Sequence, residues 1–229
     1  MAIKYVLLDL DDTVLDFHRA ERAAITETFL EFSLDPSDEV LALYSSINKS
    51  CWRELELGTM TREEVVHQRF ARLFAALGKT VDCIAVQKKY EYNLSFKAFF
   101  LEGAEALLEA LLGKYKLYVA SNGTARVQDR RIEISGISKY FDGLFISQRI
   151  GADKPSPVFF DECFRIMGNP PKDEIIIVGD SLSSDIKGGL LSGIHTCYFN
   201  PKGAENGSGI TPEYEIRSLG ELPELLASI

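Results

Sequence analysis

Asp9, Asp11 and Asp12 crowd together directly after the apolar run 3–8. Carboxylates so close repel one another unless a cation or a proton compensates them, and a hard ion such as magnesium accepts a few carboxylates and completes its shell with water or substrate oxygens. Alone, the cluster reads equally as loop-capping or solvated aspartates. A second acidic group answers it, because Gly179, Asp180, Ser181 and Asp185 follow another apolar run, 174–178. Two further exits carry polar chemistry. Ser121, Asn122 and Gly123 follow 117–120, where a hydroxyl and backbone N–H groups ahead of a helix suit phosphoryl oxygens. Lys154 lies in the turn 151–155, suited to neutralising charge shared by a phosphate and a nucleophile. Singly, Ser121 is an ordinary turn residue and Lys154 an ordinary surface charge. As a set they require a fold that brings four distant segments to one place.

The pattern of apolar runs supplies such a fold. Short runs at 3–8, 117–120, 144–146, 174–178 and 196–199 are too uniformly apolar to have a solvent face, which predicts buried strands of a parallel sheet. Helical spacing over 103–112, 125–135, 157–167 and 185–192 predicts the crossovers that parallel strands need. The expected class is therefore α/β, a Rossmann-like parallel sheet flanked by helices, with the carboxyl ends of its strands along one edge. Residues 16–100 break this rhythm. Helices over 19–32, 38–55, 61–77 and 81–99, with Thr61 and Glu64 spaced as a capping box, predict an inserted all-helical domain between core segments 1–15 and 101–229. The stretch 201–212 reads as an exposed loop.

Composition narrows the partners. A formal charge of −9 disfavours a nucleic-acid polymer, which needs a basic stripe, while a small phosphate ester remains compatible through a bound cation. No run reaches the roughly 18 apolar residues of a membrane span. Cys51, Cys83, Cys163 and Cys197 form no paired spacing, and His18, His67 and His195 have no metal-ligand spacing. A cytoplasmic, reducing location is the expectation. Arg62 and Arg69, seven positions apart, read as charges on a wet helix face.

The order Asp9-Leu10-Asp11-Asp12-Thr13, Ser121-Asn122-Gly123, Lys154-Pro155, then Gly179-Asp180 with Asp185, resembles the haloacid dehalogenase superfamily, and the helical insertion resembles that family's cap domain. The resemblance implies that Asp9 is a nucleophile attacking phosphorus and that Asp11 is the acid and base of the two half-reactions. It implies that Ser121 and Lys154, with backbone groups around Asn122 and Gly123, bind phosphoryl oxygens. It further implies Mg2+ held by Asp9, the Asp11 backbone carbonyl and Asp180, with Asp185 as an outer partner. Asp11 sets the chain apart from members that displace halide from carbon. Asp16-Phe17, Asn48, Trp52, Glu54, Gly58, Thr61 and Arg69-Phe70 are similar to the cap of the pyrimidine 5′-nucleotidase branch. That similarity implies a nucleoside monophosphate as substrate, with Phe17 and Trp52 walling the base and Asn48 reading its edge, against cap-core roles for the same residues. A small sugar or glycolytic phosphate is the alternative substrate, and a non-catalytic phosphate-binding protein the alternative of another class.

Overall fold

Val6, Leu7 and Leu8 are wholly buried, as are all residues of 175–178, because both runs lie inside a parallel sheet covered on its two faces. The computed structural model describes residues 2–229; Met1, the first residue of the expected segment 1–15, lies outside them. The sheet holds β1 (Tyr5–Leu8), β2 (Lys116–Ser121), β3 (Gly143–Ile146), β4 (Ile175–Gly179), β5 (His195–Phe199) and β6 (Tyr214–Ile216). Their order is β3-β2-β1-β4-β5-β6, and every pairing is parallel. The sequence shows no signal for β6, since Ile216 is its one buried residue.

Helices α1 (Phe17–Glu31), α2 (Asp38–Glu56), α3 (Arg62–Ala76) and α4 (Cys83–Ser95) fall between β1 and β2. Then come α5 (Ala104–Leu111), α6 (Ala125–Ser135), α7 (Ser147–Ile150), α8 (Pro157–Ile166), α9 (Lys187–Ser192) and α10 (Leu222–Ser228). From β1 the chain builds outward on one side through β2 and β3, then returns to place β4 on the other. The strand exits of β1 and β4 therefore flank the point where the order reverses, which is where an open parallel sheet offers a crevice. The expected helix 185–192 is divided: a π-helical turn, Leu182–Ile186, precedes α9.

Two compact units result. One runs to Phe17 and resumes over Phe99–Ile229; the other is His18–Ala98, two residues inside the expected 16–100 at each end. In the first unit the two connecting segments are tied side by side. The Asp16 N–H donates to Phe99 O at 2.8 Å and the Leu101 N–H to Val14 O at 3.1 Å. Its core includes Leu7, Ala120, Phe145, Phe159, Phe160 and Ile177.

The helical unit is organised by an aromatic cluster in which Tyr44 stacks on Phe70 at 5.1 Å and Tyr90 meets both rings edge-on. Thr61 and Glu64 form the capping box of α3, while Asp82 caps α4 by accepting from the Ile84 and Ala85 N–H groups, so that helix starts later than the expected 81. Arg69 corrects an expectation. It is 3% exposed rather than wet, its guanidinium lying 4.8 Å from the Tyr90 ring and donating to Gln87 Oε1 and Asn48 Oδ1. Glu91 supplies the opposite charge at 4.0 Å, and buried Glu21, which accepts from Asn48 and Ser45, adds a second carboxyl behind Asn48. A buried guanidinium persists only with such partners, and none of them is adjacent in sequence. Among the described residues no helix is long and apolar enough to cross a membrane.

Candidate active site

Asp9 leaves β1 with its N–H donated to Val178 O at 2.9 Å, so the exits of β1 and β4 are joined at the backbone. Register does the rest. Leu8 pairs with Val119 on one side and Val178 on the other, which sets Asp9 level with Ala120 and Gly179. Lys154, 1% exposed, reaches this level from the loop after α7. Its Nζ donates to Asp9 Oδ1 at 2.6 Å, Asp185 Oδ1 at 2.5 Å and Ala120 O at 2.5 Å. An ammonium has three hydrogens, and all three are committed to protein oxygens. The structure thus shows Lys154 as a buried bridge between Asp9 and Asp185.

Asp185 comes from the π-helical turn and accepts the Ser181 N–H on Oδ2 at 3.1 Å. It fits only because residue 179 is glycine: a Cβ there would stand 2.2 Å from Asp185 Oδ2. Asn122 secures Lys154 from the β2 side, since its Nδ2 donates to Lys154 O and its Oδ1 accepts the Lys154 N–H, at 2.9 and 2.8 Å. Both ends of that amide are engaged, so the Asn122 side chain fixes the loop that carries Lys154. Removing the ammonium should be costly, because buried Asp9 and Asp185 would lose their compensating charge. Lys154→Met is expected to lower stability by about 3–5 kcal/mol in urea unfolding without divalent cation; an unchanged midpoint would contradict this account.

Asp9, Asp180 and Asp185 each bring a carboxylate oxygen within 4.8 Å of the others. Burial above all raises the Asp9 carboxyl; the Lys154 ammonium opposes it and the charges of Asp185 and Asp11 add to it. Asp180 is raised well above the ordinary range by its desolvating surroundings and then by Asp9, Asp185 and Asp12. Lys154, although burial works against its charge, is held above the ordinary lysine value by Asp185 and Asp9. With all three carboxyls ionised, one ammonium would leave a negative excess, and a donor set made only of carboxylate oxygens suits a hard divalent ion that displaces the retained protons. These residues fit magnesium. The Asp11 side chain stands apart from the set.

Asp11 is gripped at both oxygens: Gln128 Nε2 donates to Oδ2 at 2.6 Å, and Arg131 Nη1 pairs with Oδ1. Gln128 and Arg131, 1% and 0% exposed, lie three positions apart on α6. Neither is among the residues the sequence singles out. The signal was the helix stripe itself, because the buried positions are Val127, Gln128, Arg131 and Ile132, with two polar residues where apolar ones belong. Ser121 Oγ accepts from Gln128 Nε2 at 2.9 Å and from the Gly123 N–H at 3.0 Å. Asp12, at φ 56°, accepts the Phe17 N–H on Oδ1 and shapes the loop.

The residues expected to contact a base fall in unlike settings. The Phe17 ring lies 5.9 Å from the Arg131 guanidinium. Asn48, 2% exposed, donates to Glu21 and accepts from Arg69, so it belongs to the interior of the helical unit and not to a base edge. Trp52 packs on the cluster of Cys51, Leu55, Met60 and Val65, with the Arg62 guanidinium 5.6 Å from its ring.

Residues 3–193 match the family model of the haloacid dehalogenase-like hydrolases. The chain is 35% identical to the pyrimidine 5′-nucleotidase PynA of Streptococcus pneumoniae, over 99% of this chain and 96% of that one. To the pyrimidine 5′-nucleotidase YjjG of Escherichia coli it is 31% identical, over 97% of each. Among solved structures, the HAD-hydrolase YfnB of Bacillus subtilis bound to magnesium superposes with a TM-score of 0.94 at 36% identity, over 99% of both chains.

Proposed function

The chain belongs to the haloacid dehalogenase-like hydrolase family, and from that membership we propose that it is a magnesium-dependent phosphomonoesterase working through a phosphoryl group carried on Asp9. One observation supports this above the rest. Asp9 and Asp11, two positions apart, sit in unlike settings: Asp9 is buried against an ammonium and two carboxylates, while Asp11 is held by an amide and a guanidinium. Carboxylates separated by environment in this way divide the labour of nucleophile and proton carrier.

In the first half-reaction an Asp9 oxygen bonds to phosphorus as the ester P–O bond breaks, and the leaving oxygen takes a proton from Asp11. In the second, a water oxygen attacks the same phosphorus, its proton passes to Asp11, and the bond between Asp9 and phosphorus breaks to release inorganic phosphate. Lys154 keeps Asp9 oriented and balances its charge. Ser121 donates its hydroxyl hydrogen to a phosphoryl oxygen, a bond that strengthens as charge spreads in the transition state. Magnesium, when held by Asp9, Asp180 and the Asp11 backbone carbonyl, supplies positive charge to the phosphoryl oxygens. Asp185 anchors this arrangement through Lys154.

The favoured substrates are pyrimidine nucleoside 5′-monophosphates, small-molecule esters. The support is that relatives so named align over nearly the whole chain, helical unit included. Assayed with magnesium against a panel of phosphate esters, the protein should show its highest kcat/KM on these nucleotides. Efficient turnover of sugar phosphates beside negligible turnover of nucleotides would refute the substrate assignment while leaving the phosphatase chemistry in place.

A further inference from the structure

Gln128 carries more than packing. Its Nε2 has two hydrogens, directed to Asp11 Oδ2 at 2.6 Å and Ser121 Oγ at 2.9 Å, while its Oε1 accepts from Arg131 Nη1 at 2.9 Å. Turning the amide over would set its oxygen against the Asp11 carboxylate and its nitrogen against a guanidinium, so the network admits one orientation. On Ser121 Oγ, bonds from Gln128 and from the Gly123 N–H take both acceptor positions, which turns the hydroxyl hydrogen outward as a donor. Even the loop is shaped to this contact, since a Cβ at residue 123 would stand 2.3 Å from Gln128 Nε2.

Resting on the phosphatase reading above, we infer that Gln128, locked by Arg131, is a positioning residue that sets the aim of both the Asp11 carboxyl and the Ser121 hydroxyl. One buried amide, 117 positions from Asp11 in sequence, thereby joins the proton carrier to the phosphate-binding donor. A purely structural side chain would affect all substrates alike. A residue that aims Asp11 has a selective effect, because protonation of the leaving oxygen matters greatly for an alkyl ester and little for an aryl ester whose leaving group is already a weak base.

The test compares kcat/KM, which covers steps through transfer to Asp9, for uridine 5′-monophosphate and p-nitrophenyl phosphate. Gln128→Leu and Arg131→Lys are measured beside Asp11→Asn, with thermal unfolding as a check on folding. Gln128→Leu should lower kcat/KM about 100-fold on the nucleotide and less than about 10-fold on the aryl ester, the smaller factor reflecting Ser121. Arg131→Lys should show the same preference more weakly. In the Asp11→Asn background, Gln128→Leu should cost the nucleotide only that smaller factor. Equal losses on the two esters, or none on either, while Asp11→Asn discriminates between them, would overturn the positioning role alone. An Asp11→Asn variant without discrimination, or a wild type inert on both esters, would instead overturn the acid-base reading and this inference with it.

Discussion

Asp9→Asn should reduce turnover of every phosphate ester by at least about 10⁴-fold while the protein stays folded. Asparagine keeps an oxygen that can accept from Lys154 Nζ at the position where Asp9 Oδ1 accepts at 2.6 Å, so the bridge to Asp185 survives. What is lost is the anionic nucleophile, and the neighbouring carboxylates Asp11 and Asp185 are held by other partners. Asp11 has both oxygens engaged by Gln128 and Arg131, and Asp185 is committed to Lys154 and the Ser181 N–H. A second readout separates this role from simple binding. Acid-quenched wild-type protein mixed with p-nitrophenyl phosphate should carry one phosphoryl group on the peptide containing Asp9, and the variant none. Normal turnover by Asp9→Asn, or a phosphorylated peptide elsewhere in the chain, would remove Asp9 as the nucleophile.

The parts of this site legible in the sequence are those fixed by strand exits. β1 and β4 announce themselves as uniformly apolar runs, and the residue types that follow each strand suffice to name Asp9, Ser121 and Asp180 as candidates, since parallel strands end along one edge. What the sequence does not show is which partner each polar group takes. Gln128 and Arg131 acquire meaning only from Asp11, far away along the chain, and nothing local to Asn122 foretells that its side-chain amide pairs with the backbone of Lys154. Lys154 itself illustrates the limit. A lysine in a turn has no local signature of burial, yet register brings it to three acceptors that convert a surface charge into a core ion. In the helical unit, Arg69 and Asn48 are drawn inward by Glu21, Gln87 and the aromatic cluster, partners spread over three other helices. β6 is missed for another reason: a three-residue edge strand with one buried side chain leaves almost no period to detect.

Chelation of divalent cations should silence the wild type, and magnesium should also change its thermal stability, with a sign set by the buried carboxyls. Asp9 and Asp180 are raised above an ordinary value of 3.8 when folded, chiefly by burial. Above that value the unfolded chain has released protons that the native site retains, so the metal-free protein loses stability as pH rises through the folded pKa values. Magnesium binding displaces those protons and supplies the missing positive charge, which makes its affinity increase with pH. The rise in Tm on adding magnesium should therefore be small near about pH 5 and large near about pH 8. At a free concentration of about 100 times Kd the gain corresponds to about 2.7 kcal/mol. Asp180→Asn should remove most of that gain, because it deletes a ligand and relieves the repulsion that makes the cation welcome. Gln128→Leu should leave it nearly intact, since Gln128 touches Asp11 and Ser121 but none of the three clustered carboxylates. A Tm indifferent to magnesium at the higher pH, together with full turnover after chelation, would show that the carboxylates are compensated by protons and Lys154 alone.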